Sequence, residues 1–445
     1  MYLIAWITWV SLASVATVST VVWLRKTHEA VAPLPICVAT MAFYVLPRAG
    51  YLLWFRLPPL TSAGLASDQA VLLVTETTAL ALVALVAFLL GHQARSAGRS
   101  GATVSFQLPD PDLGRALAIS AAFTVAGLAA LALLLRAVGG VSYAIRHQYE
   151  VGALLEGKNI LFQLTRLTIV PSALLLVDPV RKRVRWWVLL LGLASAVVLF
   201  PLGRRSFILL AVGYPVALYH LVVHRIAARF MLTGAFVMGI CLFALSYVRL
   251  LSGRDLGTAV TVFRRDPSMA VHFAFNAAGE LKIFDATSII VRDVPNQIPF
   301  SYGETFVRVP WMMIPRNIWP AKPTTLGEVI VSNYLPQLKT GYPPMAIGEL
   351  YAAGGTFAVI LGFLGLGWIS RAGWEWYRRR PRVGNASIYL AFCFFIFDFT
   401  RVGDPSRTAW FFILGFVFFT VAFSLASAPA AQDAPNAEYK KVGMD

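Results

Sequence analysis

Charge is scarce in this chain: 13% of its 445 residues are Asp, Glu, Lys or Arg, while 58% are hydrophobic. A soluble protein of that length needs far more polar surface to cover its core, so a soluble globular fold is excluded. Cysteine is nearly absent. Cys37, Cys241 and Cys393 each lie in an apolar stretch without CxxC spacing, which supports neither a disulfide framework nor a thiolate metal site. HExxH, GxSxG, a P-loop, a kinase signature and a GxGxxG in strand-to-helix context are also missing. Zincin, α/β-hydrolase and soluble nucleotide-binding chemistries therefore have no motif to rest on. The six histidines are scattered and suggest no metal site. Acidic residues number 22 against 38 basic ones, a net charge of +16. In a soluble protein that balance would suggest nucleic acid. Here Lys and Arg cluster at the ends of apolar runs, as the positive-inside rule expects, and no nucleic-acid partner is implied.

What is abundant is apolar sequence of bilayer-crossing length, with a mean hydropathy of +0.68. Candidate spans are 3–24, 31–54, 70–91, 114–135, 159–178, 186–203, 206–223, 231–249, 352–370, 386–400 and 408–427. The expected fold is an all-α polytopic membrane protein of about eleven transmembrane helices. Its expected organisation is 1–249 for the first eight spans, 250–351 as one long loop, 352–427 for the last three spans, and 428–445 as a tail. No basic region precedes the first run, which reads as a retained span rather than a cleaved signal. The tail is polar and Pro/Ala-rich and is expected to be disordered and cytoplasmic. Arg25-Lys26, Arg95 with Arg99, Arg181 to Arg185, Arg225 with Arg229, and Arg378 to Arg382 fit one orientation. It places the N-terminus and the 250–351 loop outside and the C-terminus inside. Neither a tandem repeat nor an inverted duplication is visible.

A loop of that length is expected to be functional. "SMAVHFAFNAAGELKIFDATSIIV" can form one or two short helices, and "FVRVPWMMIPRNIW" is amphipathic, with Trp311 and Trp319 suited to the membrane interface. The loop reads as a cap or re-entrant platform on the outer face. Ionisable residues within or beside spans mark function by default. Arg48, Glu76, Arg166, Arg204, Arg205, Arg249, Asp398 and Arg401 all fall toward the outer side. Two readings stay open: a net-basic cavity shared by the set, or local pairs such as Asp398 with Arg401 or Arg407. A basic cavity suits an anion, because Arg offers bidentate donors to phosphate oxygens. Arg204 and Arg205 also sit where the seventh span begins, and a helix N-terminus favours an anion.

Three stretches then carry a resemblance. "PLGRRSF" precedes the seventh span, "IPRNIWPAKPTTLGE" lies in the long loop, and "TGYPPMAIGELYAAGGTFAVILGFLGLGW" runs from the loop into a Gly-rich helix. With "GGVSYAIRHQY" at 139–149, they resemble the oligosaccharide repeat-unit polymerases of the Wzy (O-antigen polymerase) type. The resemblance in topology runs along most of the chain, and "PRNIWPAKP" and "GELY" are its most specific parts. It implies a glycosyltransferase working at the outer face of the bacterial cytoplasmic membrane. The donor would be a glycan on polyprenyl (undecaprenyl) pyrophosphate, the acceptor another lipid-linked repeat unit, and the carrier pyrophosphate the leaving group. It implies no cofactor, nucleotide sugar or metal. Partners would be the bilayer, the two lipid-linked oligosaccharides, and flippase and chain-length regulator proteins.

Residue chemistry fits such a reaction. Preorganised guanidinium groups would stabilise charge on a departing pyrophosphate. Arg204, Arg205, Arg166, Arg249, Arg254, Arg316, Lys322 and Glu76 are the candidate substrate-binding residues. A carboxylate or His must accept the attacking hydroxyl's proton. The loop offers Glu280, Glu304, Glu328, Glu349, Asp266, Asp285 and His272. Glu349 lies just before a helix start, so general base and helix cap both remain open for it. Glu280 follows, and His272 stays open because related lipid-linked glycan ligases use a loop histidine. Gly354, Ala358 and Gly362, at four-residue spacing, are expected to pack a neighbouring helix closely. Tyr342 and Tyr351 could stack on sugars or anchor the interface. Competing functions are a ligase using the same donor and, from another class, a transporter of lipid-linked glycan. The transporter predicts polar residues through both leaflets and internal pseudo-symmetry, which the sequence lacks.

Overall fold

The computed structural model describes residues 1–27, 29–59, 65–97, 108, 111–146, 158–177, 190, 194–195, 205–231, 233–234, 237, 239, 261, 264–265, 281–311, 314, 318–335, 341–379 and 381–427. Among these residues there is no strand. The first half contains α1 (Tyr2–Thr27), α2 (Pro33–Phe55), α3 (Ser67–Ala97), α4 (Leu113–Val138), α5 (Val141–Arg146), α6 (Asn159–Leu164) and α7 (Val170–Leu174). α8 (Arg205–Val222), α9 (Lys282–Asp293), α10 (Glu304–Val307) and α11 (Leu326–Tyr334) come next. α12 (Ala346–Arg379), α13 (Val383–Val402) and α14 (Pro405–Ala426) close the chain. Seven of these, α1 to α4 and α12 to α14, are long and apolar enough to cross a membrane.

The expectation of about eleven spans is therefore met in part. The expected span at 159–178 is a run of short helical pieces, and the one at 206–223 is α8, shorter in its apolar part than a full crossing. The expected spans 186–203 and 231–249 fall largely outside the described residues.

Lipid solvent explains the patterning. In α1 only Ala5, Leu12, Ala16 and Trp23 are buried, a heptad-like seam on a helix that is otherwise open to its surroundings. That seam meets α2 and α3. Trp9 Nε1 donates to Leu46 O at 2.8 Å, and Tyr2 OH to Leu53 O at 2.8 Å. The most extensive pairing is α3 with α12. A Cβ on Gly91 would lie 2.0 Å from Leu364 O, and one on Gly367 2.1 Å from Phe88 O. Backbone touches backbone at that crossing, which only glycine permits.

The two ends of the bundle differ. At one end Trp23 meets Trp374 at 5.6 Å, Arg95 lies 3.7 Å from Glu375, and Tyr377 OH donates to Leu221 O at 3.0 Å. Arg25, Lys26, Arg95, Arg378 and Arg379 occupy the last turns of their helices there. Toward the opposite end α9 meets Arg48 of α2 and Thr77 of α3.

α9 lies within the bundle. All residues from Ile283 to Ile290 of α9 are buried, so this helix is enclosed on every side. Arg48 of α2 grips Asp285 with two bonds, Nε to Oδ1 at 3.1 Å and Nη2 to Oδ2 at 2.7 Å. Thr77 of α3 bonds Ser288 at 3.1 Å. Among the described residues of the expected loop, α9 is thus packed among α2, α3 and α12.

α12 is two helices. Gly354 is extended (φ 177°) and Gly355 has φ 66°, so the helical path breaks between them. A Cβ on Gly362 would meet the Leu350 side chain at 2.6 Å. In a continuous helix those two residues stand about 18 Å apart, so residues 346–353 fold back on the spanning part. This corrects the reading of Gly354, Ala358 and Gly362 as a seam for a neighbouring helix. Gly354 lies in the break, and Gly362 makes room for the chain's own preceding turn.

Candidate functional site

The folded-back half-helix carries Glu349. Its position is set by α9: Met345 N donates to Thr287 Oγ1 at 3.0 Å, and Gly348 packs on Thr287 while making room for Pro344, whose Cβ would lie 2.7 Å from a Cβ there. From the other side Gly403, with φ 76°, ends α13 and presses on Met345, where a Cβ would come within 2.6 Å of its carbonyl oxygen. Glu349 is the fourth residue of the helix, and its N–H donates to Met345 O at 3.1 Å. It therefore stands inside the first turn and not at the cap.

Glu349 is 3% exposed and lines a small, partly open cleft. Thr305 and Arg308 come from α10 and its end, Thr325, Leu326 and Gly327 from the start of α11. Pro343 and Pro344 precede the half-helix, and Asp404 and Ser406 belong to the turn into α14. The Thr305 hydroxyl lies beside the Glu349 carboxyl, and Asp404 and Arg308 supply the nearby charges. Each wall has a local reason. Thr325 and Glu328 form a reciprocal capping box, Glu328 N to Thr325 Oγ1 at 3.3 Å and Thr325 N to Glu328 Oε2 at 2.9 Å. Asp404 caps α14, accepting from Ser406 N at 2.9 Å and Arg407 N at 3.2 Å, with Pro405 at the first helical position. Arg308 is held by Glu304 at 2.5 Å and donates to Thr324 O at 3.0 Å.

A basic cluster adjoins the cleft through the same turn. Asp398 is fully buried, with Arg401 Nη2 donating to its Oδ1 at 2.6 Å and Arg407 Nε 4.0 Å from Oδ2. Arg166 adds its charge to that carboxylate and stands over the Phe411 ring, 3.7 Å from the centroid. Three guanidiniums face one carboxylate. Local pairing and a net-basic site thus coexist here, whereas Arg48 is committed to Asp285.

The structure sorts the expected site residues. Glu349 enters the cleft; Glu280, His272 and Asp266 lie outside the described residues, as do Arg204, Arg249, Arg254 and Arg316. Arg205 begins α8, and its side chain is not among those described. Arg166 joins the Asp398 cluster. Lys322 turns to Ile314 O at 3.1 Å and is not part of the cleft lining, and Glu76 is exposed on α3, away from it. Among the alternative bases, Asp285 is consumed by Arg48, Glu304 by Arg308 and Glu328 by its capping box. Tyr342 and Tyr351 pack against the cluster of Ile289, Ile290 and Ile330, which makes them packing residues. Burial and the Asp293 carboxylate push the nearby Tyr334 phenol up to about 12, with Arg292 opposing, so this hydroxyl stays protonated and tethers α11 to α9.

Sequence reasoning missed Arg308, Thr305 and Asp404. "GDPS" signalled Asp404 only as a helix cap, and nothing local signalled that Arg308 would face Glu349. Among the described residues no group of three His, Cys, Asp or Glu side chains is placed to hold a metal. Comparison with protein-family models, curated proteins and solved structures finds no match for the chain.

Proposed function

We propose that this protein is a membrane glycosyltransferase of the polymerase type. It joins oligosaccharide repeat units carried on polyprenyl pyrophosphate at the outer face of the bacterial cytoplasmic membrane and releases the carrier pyrophosphate. The observation that carries this reading is the makeup of the cleft. Thr325, Leu326 and Gly327 belong to "IPRNIWPAKPTTLGE", and Pro343, Pro344 and Glu349 to "TGYPPMAIGELY". The two loop stretches on which the family resemblance rests meet around one buried carboxylate. Orientation supports it: the positive-inside rule assigns the basic end of the bundle to the cytoplasm, so the cleft faces outward.

In this mechanism an acceptor sugar hydroxyl gives its proton to the Glu349 carboxylate as its oxygen bonds to the donor's anomeric carbon. The anomeric C–O bond to phosphate breaks, and its electron pair leaves with the pyrophosphate. Arg308, with the Arg166, Arg401 and Arg407 cluster behind it, stabilises that charge. Glu349 then returns the proton to water, and the polymer has grown by one unit.

The test is the lipid-linked glycan profile of cells lacking the protein. Single repeat units on the carrier should accumulate at the outer leaflet, and re-expression should restore long chains. Accumulated long carrier-linked chains would show a ligase instead, and single units held at the inner leaflet a flippase. Either result would overturn the proposal.

A further inference from the structure

The cleft has a two-sided cover. In residues 304–311, Thr305 and Arg308 face the cleft, while Val307 (73% exposed) and Trp311 (57% exposed) face away from the protein. Spacings of three and four residues put each pair on one side of a helical segment. Trp410 Nε1 donates to Val309 O at 2.6 Å and so seats this cover on the second turn of α14. Below that turn, Ile413, Val417, Val421 and Leu425 are all exposed at every fourth position. On a helix of a membrane bundle such a stripe meets acyl chains. Trp410, three residues before Ile413, thus anchors the cover at the upper end of this stripe.

We infer that Val307 and Trp311 are immersed in the bilayer at the boundary between headgroups and acyl chains. The occupant of the cover's outer face is lipid, and the cover stands between that lipid and the cleft. The chemistry favours lipid over water on two grounds. In water, a surface holding both side chains would expose large apolar area on a segment anchored at the end of the α14 stripe. A tryptophan at that depth also places its ring among acyl chains while its N–H reaches headgroups. For the proposed reaction, on which only this consequence rests, a substrate whose carrier stays in the bilayer has this cover between it and Glu349.

The experiment replaces Cys37, Cys241 and Cys393 by Ser and introduces Val307→Cys, Trp311→Cys or Val417→Cys one at a time. Each thiol is labelled with a small fluorophore in nanodiscs of phosphatidylethanolamine and phosphatidylglycerol. Labels at 307 and 311 should be quenched several-fold more by lipids bearing a nitroxide near the headgroup than by aqueous iodide. The label at 417 should respond most to a nitroxide deep in the chain. Iodide quenching at 307 and 311, with no response to either nitroxide lipid, overturns the inference. A second measurement leaves the native cysteines in place, with benzoyl-phenylalanine at 307 and at 417 irradiated in intact membranes. Phospholipid adducts at both positions support lipid contact. Adducts at 417 alone refute it. Neither readout needs glycan substrate, so this inference and the polymerase reading can fail separately.

Discussion

Replacing Arg48 by Met leaves the Asp285 carboxylate, 0% exposed, in the bundle interior without its two-pronged partner. Removing one member of a buried ion pair costs about 3–5 kcal/mol, because the remaining charge is desolvated and uncompensated. The lower end applies here, since a membrane protein's unfolded reference state also finds polar partners. The double variant Arg48→Met/Asp285→Leu removes both charges and should recover most of the loss. Arg48→Lys should recover only part, since a point charge replaces a planar fork. Equilibrium unfolding in mixed micelles, run as a double-mutant cycle, should give a coupling energy on the order of 2 kcal/mol. Activity should fall alongside stability, although Arg48 does not line the cleft, because α9 positions Glu349 through Thr287. Additive single and double losses, or a cost below about 1 kcal/mol for Arg48→Met, would refute the view that this pair docks α9.

Gly91→Ala and Gly367→Ala should each destabilise the bundle by about 1–3 kcal/mol, since the added methyl meets backbone rather than a yielding side chain; unfolding in the same micelles checks this. Glu349→Gln should lower turnover by about two to four orders of magnitude while donor binding survives, and near-normal turnover of the purified variant would move the base to Glu280 or His272. Thr325→Ala breaks the capping box and should cost about 1 kcal/mol, with Thr325→Ser restoring it, as read by the protection of 326–334 in hydrogen exchange. For the proposed polymerase reaction, Arg308→Ala should shorten the product more than Arg308→Lys at unchanged protein abundance, measured as product length in membranes.

Membrane-spanning helices were legible because hydropathy is a sum over neighbouring residues, and α1 to α4 and α12 to α14 carry it plainly. The grouping of Arg25, Lys26, Arg95, Arg378 and Arg379 at one end was legible too, since charge flanking a span needs no knowledge of packing. Glu349 stood out for a similar reason, as a carboxylate at a helix start. The break in α12 was misread: Gly354, Ala358 and Gly362 have helical spacing, and spacing alone does not reveal that Gly355 takes a positive φ.

By itself, then, the sequence determined an all-α membrane protein, its basic end and the helix start bearing Glu349, all properties of contiguous residues. Only the tertiary structure decided that Arg48 meets Asp285 across 237 positions, that α9 lies inside the bundle, and that Arg308 and Asp404 stand beside Glu349. Such pairings depend on the depth and rotation of each helix. Those are set by where side chains leave room for one another, as at Gly91 and Gly367, and no local pattern of apolar and polar residues encodes them.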